Sequence, residues 1–372
     1  MIANGTRTHE PLVRIAKRRE RSRAELILLR AAAFLLAIVA GGAFIALLGH
    51  SPIEVYAEIF KGAFAGNKRD PLSAVKQTLV FFVPLIVTSL GLSLAFRMKF
   101  WNIGGEGQII MGGIFATIFA LYSTDNPGAI PSFILLPLMF VAGALGGGLM
   151  ALLPAIFKIK FGTNETLFTL MLNYIALYFL KYLVSGPWQR TPGFASIGNF
   201  DKSARMWEIG GFHASLLVAA ALVIFVHFYI KKSKQGYEIS VVGESQPTAR
   251  YAGMNVGKII LRTMFLSGAI CGMVGMIKVS STYTLTEGIT GGVGFTGITV
   301  AWLSQFNALG MVLVSLLFAI LQKGSSVMQT SLGLSADASN VLQGIILFSF
   351  LGTEFFTRYK FVFKKNNSKE KE

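Results

Sequence analysis

Charge is scarce in this sequence. Of its 372 residues only 14% are Asp, Glu, Lys or Arg, whereas 53% are hydrophobic. Soluble domains are roughly a quarter charged, so a water-soluble globular fold is excluded. There is one cysteine, Cys271, set in an apolar run. A lone thiol cannot build a disulfide framework and is most simply a small packing side chain. The four histidines, His9, His50, His213 and His227, are scattered without the spacing of metal ligands, so no zinc site is expected. Segments of about ten residues that alternate apolar with polar are also missing, which excludes a membrane β-barrel.

What is present is a series of apolar runs. About 20 residues cross a hydrocarbon core of ~30 Å, and runs of this order lie near 27–48, 73–96, 103–122, 132–156, 164–184, 212–230 and 259–281. The expected fold is all-α, a polytopic integral membrane protein with about ten transmembrane helices. The first run is too long for a signal-peptide core and has no small-residue cleavage site, so it reads as a retained span. Residues 1–26 form a basic N-terminal segment, 27–356 a single transmembrane domain and 357–372 a basic tail. The stretches 49–72 and 185–211 read as external loops.

The end of the domain is less regular. Gly-Gly-Val-Gly-Phe-Thr-Gly (291–297) leads into a short apolar piece that stops near Leu303. Gln305-Phe306-Asn307 interrupts it, a second piece runs to about Gln322, and a last span is expected at about 337–356. Neither piece is expected to span alone. An interrupted pair of this kind, near 292–322, marks discontinuous helices beside a transport path. One kinked helix or two short tilted ones are the plainer alternatives.

The distribution of charge orients the chain. With the N-terminus inside, inside segments carry 23 of the 34 Lys and Arg and outside segments 8, counting Arg262 with the cytoplasmic loop before it. Arg30, Lys181 and Lys278 sit near span ends, where they can snorkel. This bias obeys the positive-inside rule and puts both termini in the cytoplasm. It also accounts for the net charge of +16 without nucleic acid.

One cytoplasmic stretch, 231–258, stands out between two long apolar runs. It opens with Lys231, Lys232 and Lys234. Its middle reads as a short helix: Glu244 and Ser245 can accept from the first amides, Pro247 suits the first turn, and Gly253 stops it. Such a helix, tied to two spans, can be pushed by a soluble partner and pull on both. A solvated loop that carries only topogenic charge is the simpler alternative.

Motifs for enzymatic chemistry are weak. Gly292-Val-Gly-Phe-Thr-Gly297 matches GxGxxG by letter, but no strand precedes it and no acidic residue stands at the right distance beyond it. Gly253-Met-Asn-Val-Gly-Lys258 is one residue short of a phosphate loop, with Ile259 in place of Ser or Thr. The chain is thus expected to be no enzyme, to bind no cofactor or metal, and to rely on another chain for any ATP hydrolysis. Carboxylates are few within the spans, where each costs roughly 2.5–3.5 kcal/mol. Glu106 and Glu165 lie near inside ends. That weakens an ion-coupled carrier and favours a neutral, hydrogen-bonding path. Its polar candidates are Asn102, Gln108, Asn164, Thr166, Asn173, Gln305 and Asn307, with Phe295 and Trp302 for stacking. For each of the polar ones a helix cap or interhelical hydrogen bond is the simpler role. The Gly143 to Gly148 run, and Gly268 with Gly272, are expected to let helices pack closely.

Phe100-Trp-Asn-Ile-Gly-Gly-Glu-Gly-Gln108, with Met111-Gly-Gly after it, resembles the signature of permease subunits of bacterial ABC importers of the branched-chain amino acid, simple sugar and nucleoside group. Gly162-Thr-Asn-Glu-Thr-Leu, Met171-Leu-Asn-Tyr174 and Gly186-Pro-Trp188 resemble its nucleoside and simple-sugar branch. Gly236-Tyr-Glu, Val242-Gly-Glu and Ala249-Arg-Tyr-Ala-Gly253 resemble the ATPase-facing loop, and Gly294-Phe-Thr-Gly-Ile-Thr-Val-Ala301 the late signature. The basic N-terminus and Gly107-Gln108 resemble the longer permease of nucleoside systems. Ser304-Gln305-Phe306 departs from the Gly-rich or basic turn usual there, which leaves the solute open.

The resemblance implies a second homologous permease, a cytoplasmic ATPase and an extracytoplasmic solute-binding protein or lipoprotein as partners, in a bacterial inner membrane. ATP and Mg would belong to the ATPase. Gly243, Glu244, Ala249, Arg250, Tyr251, Ala252 and Gly253 would then couple the chain to that ATPase. A nucleoside would suit the amides and rings named above. A simple-sugar permease, an ion-coupled carrier and a membrane-bound transferase are the alternatives.

Overall fold

The computed structural model describes residues 13–17, 23–66, 70–190, 193–335 and 359–363, with scattered positions between 337 and 352. The chain divides into two compact units, one holding residues up to Ala57 and from Leu332 onward, the other Glu58–Ser331.

In the first unit a strand, Val13–Lys17, pairs antiparallel with Tyr359–Phe363. The basic leader and tail, read from sequence only as charged segments, thus share a two-stranded ribbon. Helix α1 (Arg23–Leu47) leads to α2 (Pro52–Phe64), bent from it by 111°; α2 starts in this unit, and its residues from Glu58 belong to the second. Gly49 supplies the left-handed turn between them, at φ +82°. The Tyr56 hydroxyl donates to the Ile38 carbonyl at 2.7 Å, and Gly41 leaves room for the ring. The expected loop at 49–72 is therefore corrected: much of it is helix. Pro52 sits in its first turn, and Val55, Ile59 and Ala63 recur at helical spacing and are buried. Glu54, Glu58 and Lys61 dilute the hydropathy of the segment, so it does not read as a span.

In the second unit the long helices are α3 (Ser73–Arg97), α4 (Gly105–Asp125), α5 (Ser132–Phe161), α6 (Glu165–Ser185), α7 (Ser215–Lys232), α10 (Val256–Thr282) and α12 (Ala308–Leu332). Between α7 and α10 lie α8 (Lys234–Glu244) and α9 (Gln246–Tyr251); α11 (Val293–Leu303) precedes α12. Among the described residues seven helices are long and apolar enough to cross a membrane, or eight if the bent α1–α2 pair is one span. The expected count of ten is not confirmed among the described residues. At 1.5 Å per residue α11 is about 16 Å long, too short to cross, and half of the residues expected in a last span at 337–356 lie outside the described residues. The second short piece is also corrected. It does not stop near Gln322 but runs to Leu332, long enough to span. Polar residues that look like an end in the sequence are accommodated: Ser326 and Thr330 donate to the carbonyls of Lys323 and Val327 one turn back.

The centre of this unit is built by glycine. α3, α4 and α10 are the most buried spans. A Cβ on Gly272 of α10 would collide with the Gly143 carbonyl of α5, one on Gly112 of α4 with Gly272 itself, one on Gly147 with the Gly268 carbonyl, and one on Gly275 with the Ile109 carbonyl. The close packing expected for Gly143 to Gly148 and for Gly268 with Gly272 is what the structure contains. A large apolar cluster, including Leu85, Leu90, Ile109, Met139, Ile270 and Val274, fills the space beyond.

The expected external loop 185–211 is not splayed out. Ile197, Phe200, Ala204 and Met206 are buried. The Phe200 and Met206 amides donate to the carbonyls of Tyr283 and Ser280 at the end of α10, at 2.8 and 3.1 Å. Asp201 accepts from the Ser203 amide and hydroxyl, which holds its carboxyl below the usual range. The loop is a packed cap on the bundle.

Replacing Gly272 with alanine forces main chains apart and is expected to destabilise the bundle by at least ~1–3 kcal/mol, the usual cost of overpacking. Thermal unfolding in detergent checks this. Gly288→Ala, whose Cβ would meet nothing within 4 Å, serves as the neutral comparison.

Candidate functional site

The segment 231–258 folds as two short helices, not one. Ser233 opens α8 by accepting from the Gly236 amide at 3.0 Å. Gly236, Ile239, Val242 and Gly243 recur at helical spacing and form its buried face. Glu244 is the last residue of α8 and does not cap α9. Ser245 alone caps α9, accepting from the Thr248 amide at 3.3 Å, and Pro247 occupies the first turn. Gly253 ends it in the left-handed region at φ +75°, as expected.

These helices are seated by a separate apolar cluster. Ile239, Val242, Ala249 and Val256 pack with Ala95, Met98 and Phe100, and with Ala151 and Ala155 of α5. At Gly243 the fit is closest, because a Cβ there would overlap the Arg97 carbonyl at the end of α3. Glu238 of α8 pairs with Arg262 of α10 at 2.9 Å, and Tyr229 donates to Gln235 at 2.7 Å. The seven residues singled out in this stretch therefore divide. Gly243 and Ala249 face the bundle, while Glu244, Arg250, Tyr251, Ala252 and Gly253 are exposed. Tyr251 is 98% exposed. An apolar cluster grips one side of the segment and the other side is presented outward. The sequence does not single out α8 or its grip on α3; the Ser233 cap and the 236–239–243 spacing are the signals that could have found them.

The polar candidates for a path fall into three places. Asn102 and Gln108 exchange hydrogen bonds at 2.9 and 3.3 Å, the Asn102 Oδ1 also accepts from the Gly104 amide, and its Nδ2 donates to Ser267 on α10 at 3.4 Å. Asn173 of α6 accepts from the Gly107 amide at 2.8 Å and donates to the Ile103 carbonyl at 3.0 Å. These three amides tie the irregular 98–104 turn to α4, α6 and α10. Asn164 and Glu165 stand apart from them: Asn164 caps α6 through the amides of Thr166 and Leu167, and Glu165 pairs with Lys158 at 2.8 Å.

The third place is α11. Glu106 Oε2 accepts from the Gly294 amide at 2.7 Å, and Phe295 beside it is half-exposed. Trp302 stacks on Trp101 with ring centres 5.3 Å apart and planes 3° from parallel; Phe96 and Phe306 complete an aromatic group. Gln305 has φ of 52°, and Asn307 opens α12 by accepting from the Leu309 amide at 3.1 Å. Trp101, Phe96 and Arg97 join this group without having been anticipated. Arg97 donates to the Phe306 carbonyl at 2.6 Å across 209 residues of sequence.

An outward-facing pair of short helices on a glycine-packed helical bundle, with a short interrupted helix beside it, is the architecture of a membrane transport subunit. Residues 74–351 match the family described as branched-chain amino acid transport system / permease component, and the chain belongs to that family. The guanosine ABC transporter permease protein NupP of Bacillus subtilis is 31% identical over 337 residues, covering 88% of this chain and 93% of that protein. The glucose ABC transporter permease protein TsgB13 of Haloferax volcanii is 29% identical over 88% of this chain and 87% of its own length. The nucleoside ABC transporter permease protein NupB of Lactococcus lactis is 29% identical over 86% and 90%. ATP hydrolysis in such systems belongs to a separate subunit.

Asn173→Ala would leave the Gly107 amide and the Ile103 carbonyl without their partner. It is expected to lower stability by ~1–3 kcal/mol, read as an earlier thermal midpoint in detergent. A changed solute affinity at unchanged stability would instead make Asn173 a solute contact.

Proposed function

We propose that this chain is the permease subunit of an ATP-driven importer that carries nucleosides across the cytoplasmic membrane, both termini inside. The observation that carries the reading is the likeness, over 86–88% of this chain and 90–93% of theirs, to permeases named for guanosine and for nucleosides. Purine and pyrimidine rings suit a path with stacking side chains such as Phe295 and Trp302. Ribose hydroxyls suit amides.

In this reading the exposed residues Glu244, Arg250, Tyr251, Ala252 and Gly253 seat in a groove of the ATPase, and buried Gly243 and Ala249 pass the movement to α3, α5 and α10. Closure of the ATPase on ATP displaces α8 and α9 and switches access. A second, homologous permease completes the path, and an extracytoplasmic binding protein delivers the solute. Of the polar candidates, Asn102, Gln108 and Asn173 already have protein partners; the half-exposed Phe295 and Trp302 are the better placed to meet a solute.

A sugar is the second reading, favoured by the likeness to a permease named for glucose. Uptake of radiolabelled guanosine, adenosine, uridine and cytidine against ribose, galactose and glucose separates the two. Uptake of nucleosides alone is expected, and uptake of a sugar alone overturns the assignment.

The lever has its own test. Arg250→Ala with Tyr251→Ala removes exposed contacts and leaves the buried grip intact. Solute-stimulated ATP hydrolysis by the assembled importer is expected to fall to the unstimulated rate, with the permease still in the membrane. Unchanged stimulation removes the coupling role.

A further inference from the structure

Helix α11 is a short rod between two left-handed joints. Gly291 and Gly292 precede it at φ of 57° and 75°. After it come Gln305 and Phe306, at 52° and 59°, two successive side-chain-bearing residues in a conformation that L-residues avoid. Such a joint persists only where its surroundings hold it.

Both ends of α11 are held from one stretch, residues 97–106. At the N-terminal end Gly292 offers no side-chain cap, and the carboxylate of Glu106 takes the amide of Gly294 instead. At the other end the guanidinium of Arg97 donates to the carbonyl of Phe306, whose ring packs on Phe96 and Trp302. The anion at the amide end complements the helix dipole, and the cation holds the left-handed joint that follows the other end. Gly294 is required for the first contact, because a Cβ there would overlap the main chain and carboxylate of Glu106. The Arg97 Nε is buried without a hydrogen-bond partner, so this cation is kept in place at a cost.

The same stretch touches the lever. Gly243 of α8 lies on the main-chain carbonyl of Arg97, the residue whose side chain holds the far end of α11.

We propose that Arg97 and Glu106 are positioning residues that clamp α11 at its two ends, and that displacement of α8 at Gly243 loosens this clamp and frees α11 to move as the gate. The clamp rests on the contacts of this chain alone; its link to ATP rests on the permease reading above.

The test reads how often α11 leaves its seat. Val300 on α11 is fully buried. In the full chain in membranes, with Cys271→Ala removing the native thiol, Val300→Cys is labelled by N-ethylmaleimide only when α11 swings out. Glu106→Ala or Arg97→Met is expected to speed labelling roughly tenfold, as loss of one charge-assisted hydrogen bond allows. Glu106→Gln, which keeps an acceptor but not the charge, gives an intermediate rate, and Arg97→Lys restores most of the protection. Gly243→Ala, which pushes α8 off Arg97, also speeds labelling, whereas Lys234→Ala on the exposed side of α8 does not. In membranes holding the whole importer, a non-hydrolysable ATP analogue speeds labelling in the parent and has no further effect in Arg97→Met. Equal rates in the parent, Glu106→Ala and Arg97→Met overturn the clamp, and a Gly243→Ala rate equal to the parent overturns the link to α8. Because labelling needs no solute, an uptake panel that fails to show nucleosides overturns the solute assignment and leaves the clamp result standing.

Discussion

Where α4, α5 and α10 cross, main chain meets main chain, with no side chain between Gly112 and Gly272 or between Gly147 and Gly268. Inside a bilayer, apolar side chains gain little by leaving lipid for protein, so association has to come from close van der Waals contact. Glycine allows the closest contact. It also fixes geometry, because backbones this near cannot slide without collision. The rest of the second unit is placed against this rigid centre. α3 lies along α10, its inner residues from Val83 to Phe96 almost wholly buried, and α8 rests on the end of α3.

Three short helices rest against this centre. α8 and α9 are held by apolar contacts of a few residues, Ile239, Val242 and Ala249, on the ends of α3, α5 and α10. α11 is held at its ends by two charged side chains and an aromatic group, and along its length by buried Val293, Val300 and Ala301 and by the close fit of Gly297 on Thr88 of α3. Both sets of contacts reach the turn between α3 and α4, where the amides Asn102, Gln108 and Asn173 secure irregular backbone that would be costly to bury unpaired. The turn joins the α8–α9 pair to α11, and three buried amide side chains gather around it.

The signature residues Phe100 to Gln108 stand out in the sequence, but their physical work does not. Amides in a membrane segment read as either path or glue, and only the partners decide. Asn102 has its partners in Gln108, Gly104 and Ser267, the last 165 residues away. Glu106 reads as an acidic residue near a helix end; that it serves the start of another helix depends on a contact 188 residues distant. Arg97 counts, in sequence, as topogenic charge. The C-terminal limit of α12 is hidden in the sequence for a local reason: hydroxyls in a helix satisfy themselves on the preceding turn, so Ser326 and Thr330 do not end it.

Sequence alone determined the class of molecule, the course of most spans, the α9 turn with its Gly253 stop, and the roles of the packing glycines, because each rests on length, hydropathy or neighbours within a turn or two. The tertiary structure decided which side of the 231–258 stretch is buried, how the 185–211 loop covers α10, and which side chains grip α11. Those are matters of approach between segments far apart in the chain, and local periodicity carries no information about which distant atom will sit at hydrogen-bonding distance.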